Sequence, residues 1–568
     1  MTLNLIHQVG EANPQLFREL KGRVIPRNIL IAVATSLLGQ LLLLISFGSK
    51  LPVADGTNPI YSRYCTGLSK EYSLPTCVTD GLGSFAINWQ LWWQDVFIWL
   101  SLIGIFALLV VGTYMLIGDL SKEESQGTLN FLRLSPGSSF SILGGKLLGV
   151  PILLYSVAVL ALPLHLVSGL SGHIPLSEIL GFYVVIASSC LFFYSAALLF
   201  GLVGNWLGGF QAWLGSGIVL IFLLTATQLL HYNSTTNHPS DWLMLFNPAI
   251  LLPYLIDSFS LSPNSPFSDS HSIKLLWFYV PIGAKNWSFA GFIVLNFCLW
   301  SYWIGQGLKR CFHNPNTTLL SKAKSYRLTA CFEVVLLGFA LNPNEPAWKN
   351  HSQAVFENFQ VVLVFNLLLF LFLIVALNPH RQTLQDWARY RHQHKSIRKG
   401  GILSDLIWGK SSPGVVAVGM NLAIASTILS PWILLWPTSE YKTPALLALL
   451  LNATIIIFYS SVVQLMLLMK TPKRAIWAAG TVTGLITLPP IVFSFLSISH
   501  STHSYVWLFS AFPWASVEYA AGTSVAIALV TQSLALVLLN LQLTRQLKKA
   551  GESATKALLS PRPLAVIE

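Results

Sequence analysis

The chain has 568 residues, of which 10% are charged and 54% apolar, and its mean hydropathy is +0.62. Ordinary soluble domains carry roughly 25% charged residues, so a soluble fold is excluded, and apolar runs near the roughly 20 residues of a bilayer crossing recur from end to end. The formal net charge of +12 comes from basic residues dispersed over several segments, which argues against a nucleic-acid-binding face.

Polar residues dominate the first 27 positions, and the apolar run that follows is long enough to span and lacks a small-x-small site, so no cleavable signal is expected. Within those positions "NPQLFRELKGRVIP" predicts a helix capped by Asn13, with Pro14 in its first turn. Phe17, Leu20 and Val24 share one face, which suits a helix lying along the inner membrane surface.

Twelve crossings are predicted, at about 28–47, 89–117, 138–168, 177–203, 210–230, 288–307, 328–341, 357–377, 413–436, 443–469, 475–497 and 517–543. The seventh, "LTACFEVVLLGFAL", is short and carries Glu333. With both termini cytoplasmic, 27 of the 34 Lys and Arg residues fall on the inner side, as the positive-inside rule requires. An odd count would place "RQTLQDWARYRHQHKSIRK" and "KTPKR" on opposite faces. The expectation is therefore an all-α polytopic protein of the plasma (bacterial inner) membrane.

Two outer connections are long. The first, 48–88, holds Cys65 and Cys77, which either pair in an oxidising compartment or stay free thiols. The second, 231–287, holds "DWLMLFNPAILLPYLIDSF", broken by Pro248 and Pro253. A broken apolar run of that size suits two short re-entrant or interfacial helices within 241–260 better than a crossing. "YVWLFSAFPWASVEYA", with Pro513, repeats the pattern before the last span.

That recurrence points to an internal repeat. Ser135, Pro136 and Gly137 match Ser412, Pro413 and Gly414 at an offset of 277, and Phe246 to Pro248 match Ala511 to Pro513 at an offset of 265. The organisation expected is a first half at 1–310, a cytoplasmic linker at 311–327 and a second half at 328–568. Each half has six spans. The second adds a basic segment at 378–412 and a tail at 544–568.

One inner segment stands out. "SKEESQGTLNFLRLSP" sets Leu129, Leu132 and Phe131 on an apolar face and Glu123 and Glu124 toward its N-terminal end, where acids suit the helix dipole. Gly127 permits a bend and Pro136 stops the helix. An amphipathic helix between two spans can act as a lever, resting its apolar side on a partner.

The run of an acidic pair, Gly-Thr-Leu, a leucine-rich turn, Ser-Pro and then "ILGGKLLG" resembles the signature of ABC-type exporter permeases of the second type. Glu123, Glu124, Gly127, Thr128, Leu129, Leu132, Ser135, Pro136, Gly145 and Lys146 match it position by position. In the second half Asp405, Ser412 and Pro413 match in part, without the Gly-Thr-Leu. The resemblance implies two fused six-span halves, an inner helix docking on a separate nucleotide-binding ATPase, and re-entrant outer helices that place Asn247, Pro248, Pro253 and Pro513 at an outer gate. It implies ATP and Mg on the partner and no cofactor on this chain. No G-x-x-x-x-G-K-[ST] loop is present, so hydrolysis belongs to another chain. Spans nearly free of charge favour an amphipathic or hydrophobic cargo, such as a lipid or glycolipid, with membrane lipids as neighbours.

Two rivals remain. An ion-coupled secondary transporter needs ionisable groups at membrane depth, and Glu333 is the only acid well placed, since Asp95 and Glu357 lie near outer ends. A membrane-embedded transferase needs a general acid–base cluster. The outer loops offer His238, Asp241, Asp257, Asp269 and His271 at irregular spacing.

Overall fold

The structure, a computed structural model, describes residues 10–11, 13–53, 61–67, 74–79, 84–231, 238–256, 275–341, 350–393, 401–437 and 439–551. Asp257, Asp269, His271 and residues 257–260, 394–400 and 552–568 lie outside them. The chain divides into two units, Met1–His313 and Asn314–Glu568. The division falls inside the segment read as a linker.

In the first unit, α1 (Pro14–Arg23) begins at Asn13, whose side-chain Oδ1 accepts from Leu16 N at 3.0 Å. A short break leads to α2 (Pro26–Gly48), which leaves Leu30, Ile31, Leu37, Leu38, Leu41 and Leu42 exposed. Such a face suits contact with lipid, as expected of a membrane-spanning helix. The long α3 (Trp89–Ser125) contains one π turn, Ala107–Val111, into whose Leu108 carbonyl the Tyr194 hydroxyl donates at 2.7 Å. The next residue, Gly112, admits that ring: a Cβ there would lie 2.2 Å from the Tyr194 oxygen.

After α3 come α4 (Thr128–Leu134), α5 (Ser139–Gly149) and α6 (Ile152–Ser171). The single crossing expected at 138–168 is thus two helices, because Pro151 supplies no amide to continue α5. Then follow α7 (Leu176–Val203), α8 (Gln211–His231), α9 (Asp241–Met244), a 3-10 turn (Pro248–Leu251), α10 (Leu252–Leu255) and α11 (Asn286–His313).

The second unit runs α12 (Lys322–Ala340), α13 (His351–Leu377), α14 (Arg381–Gln393), α15 (Ile402–Trp408) and α16 (Val415–Leu434). It continues with α17 (Lys442–Leu467), α18 (Arg474–Phe495), α19 (Ser504–Trp507) and α20 (Gly522–Gly551). The order repeats that of the first unit: long helices, a seven-residue helix, long helices, a broken short segment and a last long helix.

Among the described residues eleven helices are long and apolar enough to cross a membrane, six in the first unit and five in the second. The protein is an all-α polytopic membrane protein. The expected seventh crossing, α12, does not qualify by length and composition alone. Lys322, Lys324 and Arg327 occupy its first turns and Glu333 its middle. Its Leu328, Phe332, Leu336 and Phe339 are nevertheless buried against neighbouring helices.

The two broken segments are compact. Asn247 is fully buried, its Oδ1 accepting from Ala249 N at 3.1 Å and its Nδ2 donating to Thr227 Oγ1 at 3.0 Å. Pro248 opens the 3-10 turn, Pro253 sits at the start of α10, and both are buried. In the second unit Pro513 opens a 3-10 turn to Ala515 and is buried too. His238 accompanies its turn, its amide donating to Asp241 Oδ2 at 3.2 Å.

Between α2 and α3, Cys65 and Cys77 are disulfide-bonded. Next to them Arg63 donates to Asp95 Oδ1 at 2.7 Å and the Tyr64 hydroxyl to Asp95 Oδ2 at 3.0 Å. The stapled loop is thereby pinned to the first turns of α3.

Candidate functional site

The segment around Gly127 forms a helix joined to α3 by a tight turn. Gly127 adopts φ +71°, in the left-handed region that favours glycine. Thr128 Oγ1 reaches back to donate to Glu123 O at 3.1 Å, closing the end of α3. Within α4, Leu129 is 1% exposed and anchors the helix, and Leu132 is half-buried. Phe131 and Leu134 face outward, 77% and 83% exposed, and Phe140 just beyond adds a third bare apolar side chain. Ser135 Oγ donates to Leu132 O at 2.8 Å, and Pro136 lies exposed in the bend before α5.

Arg133 ties this helix to the rest of the unit. It donates through Nε to Phe312 O in the last turn of α11 at 3.1 Å and through Nη1 to Asn130 Oδ1 at 3.0 Å, and it pairs with Glu124 at 3.7 Å. A guanidinium at a helix C-terminus meets carbonyls that have no partner within the helix.

The acidic pair splits its roles. Glu124 faces Arg133. Glu123 turns inward and is buried in a six-charge cluster. At its centre is Lys146 of α5, closed off from solvent, with Nζ 2.6 Å from Asp119 Oδ2, 2.8 Å from Glu123 Oε2 and 3.7 Å from Glu19 Oε1. Arg23 pairs with Asp119 at 2.5 Å and Glu19 at 3.1 Å. Arg18 pairs with Glu19 at 3.2 Å and with Glu123. Three cations meet three carboxylates, so the cluster is neutral. Burial by itself would push the Glu19 carboxyl up, but the Lys146 ammonium, then Arg23 and Arg18, outweigh it and hold Glu19 below the ordinary carboxylate range.

The carboxylates of Glu19, Asp119 and Glu123 lie within 4.8 Å of one another, a spacing that could suit a metal ion. The Lys146 ammonium fills that role, balancing the same three groups.

The "GGKLLG" motif explains how α1 comes so close. A Cβ on Gly145 would lie 2.8 Å from Leu16 N, and one on Gly149 2.5 Å from Glu19 Cβ. These two glycines, four apart on one face, let the backbone of α1 lie on α5. Asn13 Nδ2 closes the contact by donating to Ser141 O at 2.8 Å. Thus α1, the end of α3 and the start of α5 form one clamp, with α4 attached through Glu123 and Arg133.

In the second unit α15 corresponds to α4. Ile402, Leu403 and Trp408 are 60%, 69% and 61% exposed. Its clamp is built differently. Lys322 of α12 donates to Leu406 O at 2.5 Å, Ser412 Oγ at 2.7 Å and Pro413 O at 3.2 Å, and Ser412 donates to Asp405 O at 2.6 Å. Asp405 pairs with Arg391 of α14 at 2.5 Å. Unlike Ser135 and Pro136, Ser412 and Pro413 are buried.

Sequence reasoning selected Lys146 and Glu123 but missed Arg18, Glu19, Arg23, Asp119 and Arg133. The available signal was the density of opposite charges on the segments flanking the first and second spans. It also missed a polar trio inside the first unit. Ser101 Oγ lies 2.7 Å from Phe97 O and 2.7 Å from His165 Nε2, and His165 Nδ1 lies 2.8 Å from Tyr183 OH. A neutral imidazole satisfies every one of these contacts when Ser101 donates to Phe97 O, His165 Nε2–H donates to Ser101, and Tyr183 donates to Nδ1. The serine proton is then committed to the backbone, as in a filled core rather than an activated nucleophile.

No family model, curated protein or solved structure matches the chain.

Proposed function

We propose that the chain is the transmembrane permease subunit of an ATP-driven exporter, moving an amphipathic or hydrophobic substrate such as a lipid or glycolipid and powered by a separate ATPase chain. The observation that carries the reading is the construction of α4. It bares Phe131 and Leu134 at its tip while its other side is fastened to three parts of the unit. Exposed apolar side chains on a polar-flanked helix suit a hydrophobic cleft on a soluble partner. Ties through Thr128, Glu123 and Arg133 would carry a push on α4 to α3, the α1–α5 clamp and α11. The matching exposed face on α15 supplies a second contact, so one chain offers both coupling helices to a cytoplasmic motor.

In this reading the acidic pair is internal mechanics, and the partner reads the apolar tip. The test is affinity capture of the tagged full-length chain from its native membranes, assaying co-purifying ATP hydrolysis and identifying P-loop chains by mass. A P-loop ATPase should co-purify, and Phe131→Asp with Leu134→Asp should lower its recovery at least tenfold while leaving thermal unfolding in detergent unchanged. Recovery of no nucleotide-hydrolysing chain, or equal recovery with the double variant, would overturn the reading.

A further inference from the structure

The side of α12 facing its neighbours carries a polar stripe. Lys322, Ser325, Thr329 and Glu333 are spaced three, four and four residues apart, which sets them along one face over about 16 Å. All four are buried. Ser325 Oγ accepts from Asn421 Nδ2 at 3.0 Å, and Thr329 Oγ1 donates to Asn421 Oδ1 at 2.8 Å. The stripe ends at Glu333, which is 0% exposed, with Asn366 of α13 opposite it, 1% exposed. Asn366 Nδ2 donates to Glu333 Oε2 at 3.4 Å. The remaining oxygens of this facing pair, Glu333 Oε1 and Asn366 Oδ1, have no hydrogen-bond partner.

Two acceptor oxygens left over on facing groups are a deficit of one proton. A carboxylic acid and a primary amide meet by two hydrogen bonds: the amide N–H to the acid carbonyl, and the acid O–H to the amide carbonyl. The first is present at 3.4 Å, and Glu333 Oε1 and Asn366 Oδ1 are the two oxygens left over for the second. We propose that Glu333 and Asn366 form a proton-binding site in the second unit, occupied as a neutral acid–amide pair.

The surroundings support a neutral occupant. On α12 the other charged groups are Lys322, Lys324 and Arg327, the last six residues or about 9 Å along the helix from Glu333, and Cys331 lies two residues away. Facing α12, α13 contributes His351 and Glu357, the latter nine residues or about 13 Å along that helix from Asn366. α15 contributes Asp405, and α16 has no titratable residue. Lys322 is engaged with Leu406, Ser412 and Pro413. An ionised carboxylate at this depth with only an amide beside it would cost far more than a proton does. Loss of the proton would place a bare charge between α12 and α13, so the two helices' contact is linked to protonation. The site stands whether or not an ATPase drives the chain.

Infrared spectroscopy of the full-length chain in detergent, with carbon-13 glutamate, tests this. At neutral pH the wild type should show the carbonyl stretch of a protonated glutamic acid, absent from Glu333→Gln and shifted in frequency in Asn366→Leu. Raising the pH should lower the wild-type melting temperature relative to Glu333→Gln, because only the wild type must give up a bound proton. Should Glu333→Gln fail to fold, the isotope shift in the wild type and its displacement in Asn366→Leu still decide the matter. Wild-type spectra without that band at neutral pH, or a band that vanishes on adding sodium and so marks a cation site, would overturn the proposal.

Discussion

Lys146 Nζ and Asp119 Oδ2 lie 2.6 Å apart at a point where the lysine has no contact with solvent. One residue belongs to α5 and the other to α3, so the pair joins two segments that α4 separates in sequence. Burying an ammonium costs several kcal/mol unless carboxylates surround it, and here three do. The contact therefore sets the position of α4.

Replacing Lys146 by Met should destabilise the first unit by about 3–5 kcal/mol, the usual cost of leaving buried charges unmatched. Adding Glu123→Gln restores neutrality and should recover part of that loss. Thermal unfolding of the two single variants and the double variant in detergent measures the coupling. Strictly additive losses would show that the groups do not act together.

Acid should release α1. The Glu19 carboxyl is held below its ordinary value of 4.5 in the folded chain, so its contribution is complete above that value and disappears as pH falls through the lowered one. Spin labels at Lys21 and Leu148 should separate below the ordinary carboxylate range. The Glu19→Gln variant should lose most of that pH dependence.

Gly149→Ala should cost about 1–3 kcal/mol, as overpacking does, because its Cβ would press on Glu19 Cβ. Gly144→Ala, next to Gly145 but with open space around it, should be nearly neutral. The same spin-label pair should widen in the first variant and not in the second. Equal behaviour would remove the close-approach explanation.

Arg133→Met removes the bonds to Phe312 O and Asn130 and the pairing with Glu124. Hydrogen bonds to a charged group contribute about 1.5–3 kcal/mol. The amides of α4 should lose hydrogen-exchange protection by at least tenfold, while those of α7 stay unchanged.

Cys65→Ser should slow the chain's migration in non-reducing gels and cost about 2–4 kcal/mol. Limited proteolysis should then cut the loop between α2 and α3 faster than in the wild type, since only hydrogen bonds and the Arg63 and Tyr64 contacts to Asp95 would still hold it.

Hydropathy and charge placement were enough to find eleven of the crossings, the helix capped by Asn13, the broken segments around Pro248 and Pro513, and the short helix that follows Gly127. These features depend on local period and on residues whose backbone preferences act within a turn. The seventh expected crossing stands apart for the same local reason: α12 carries too much charge to be found by hydropathy, and its polar face is buried against Leu406, Ser412, Asn366 and Asn421. Pro151 likewise divides a run that hydropathy reads as continuous.

What the chain's order of residues settles by itself is where it is apolar, where it turns and where charge interrupts it, since each of these is decided within a few neighbours. Which charges meet is decided by packing. Glu123 and Glu124 are adjacent in sequence, yet one is closed in with Lys146 and the other faces Arg133, because successive helical side chains point about 100° apart. Arg18 and Glu123 stand 105 residues apart and touch only because Gly145 and Gly149 let α1 settle onto α5. Long-range pairing of that kind has no local signature.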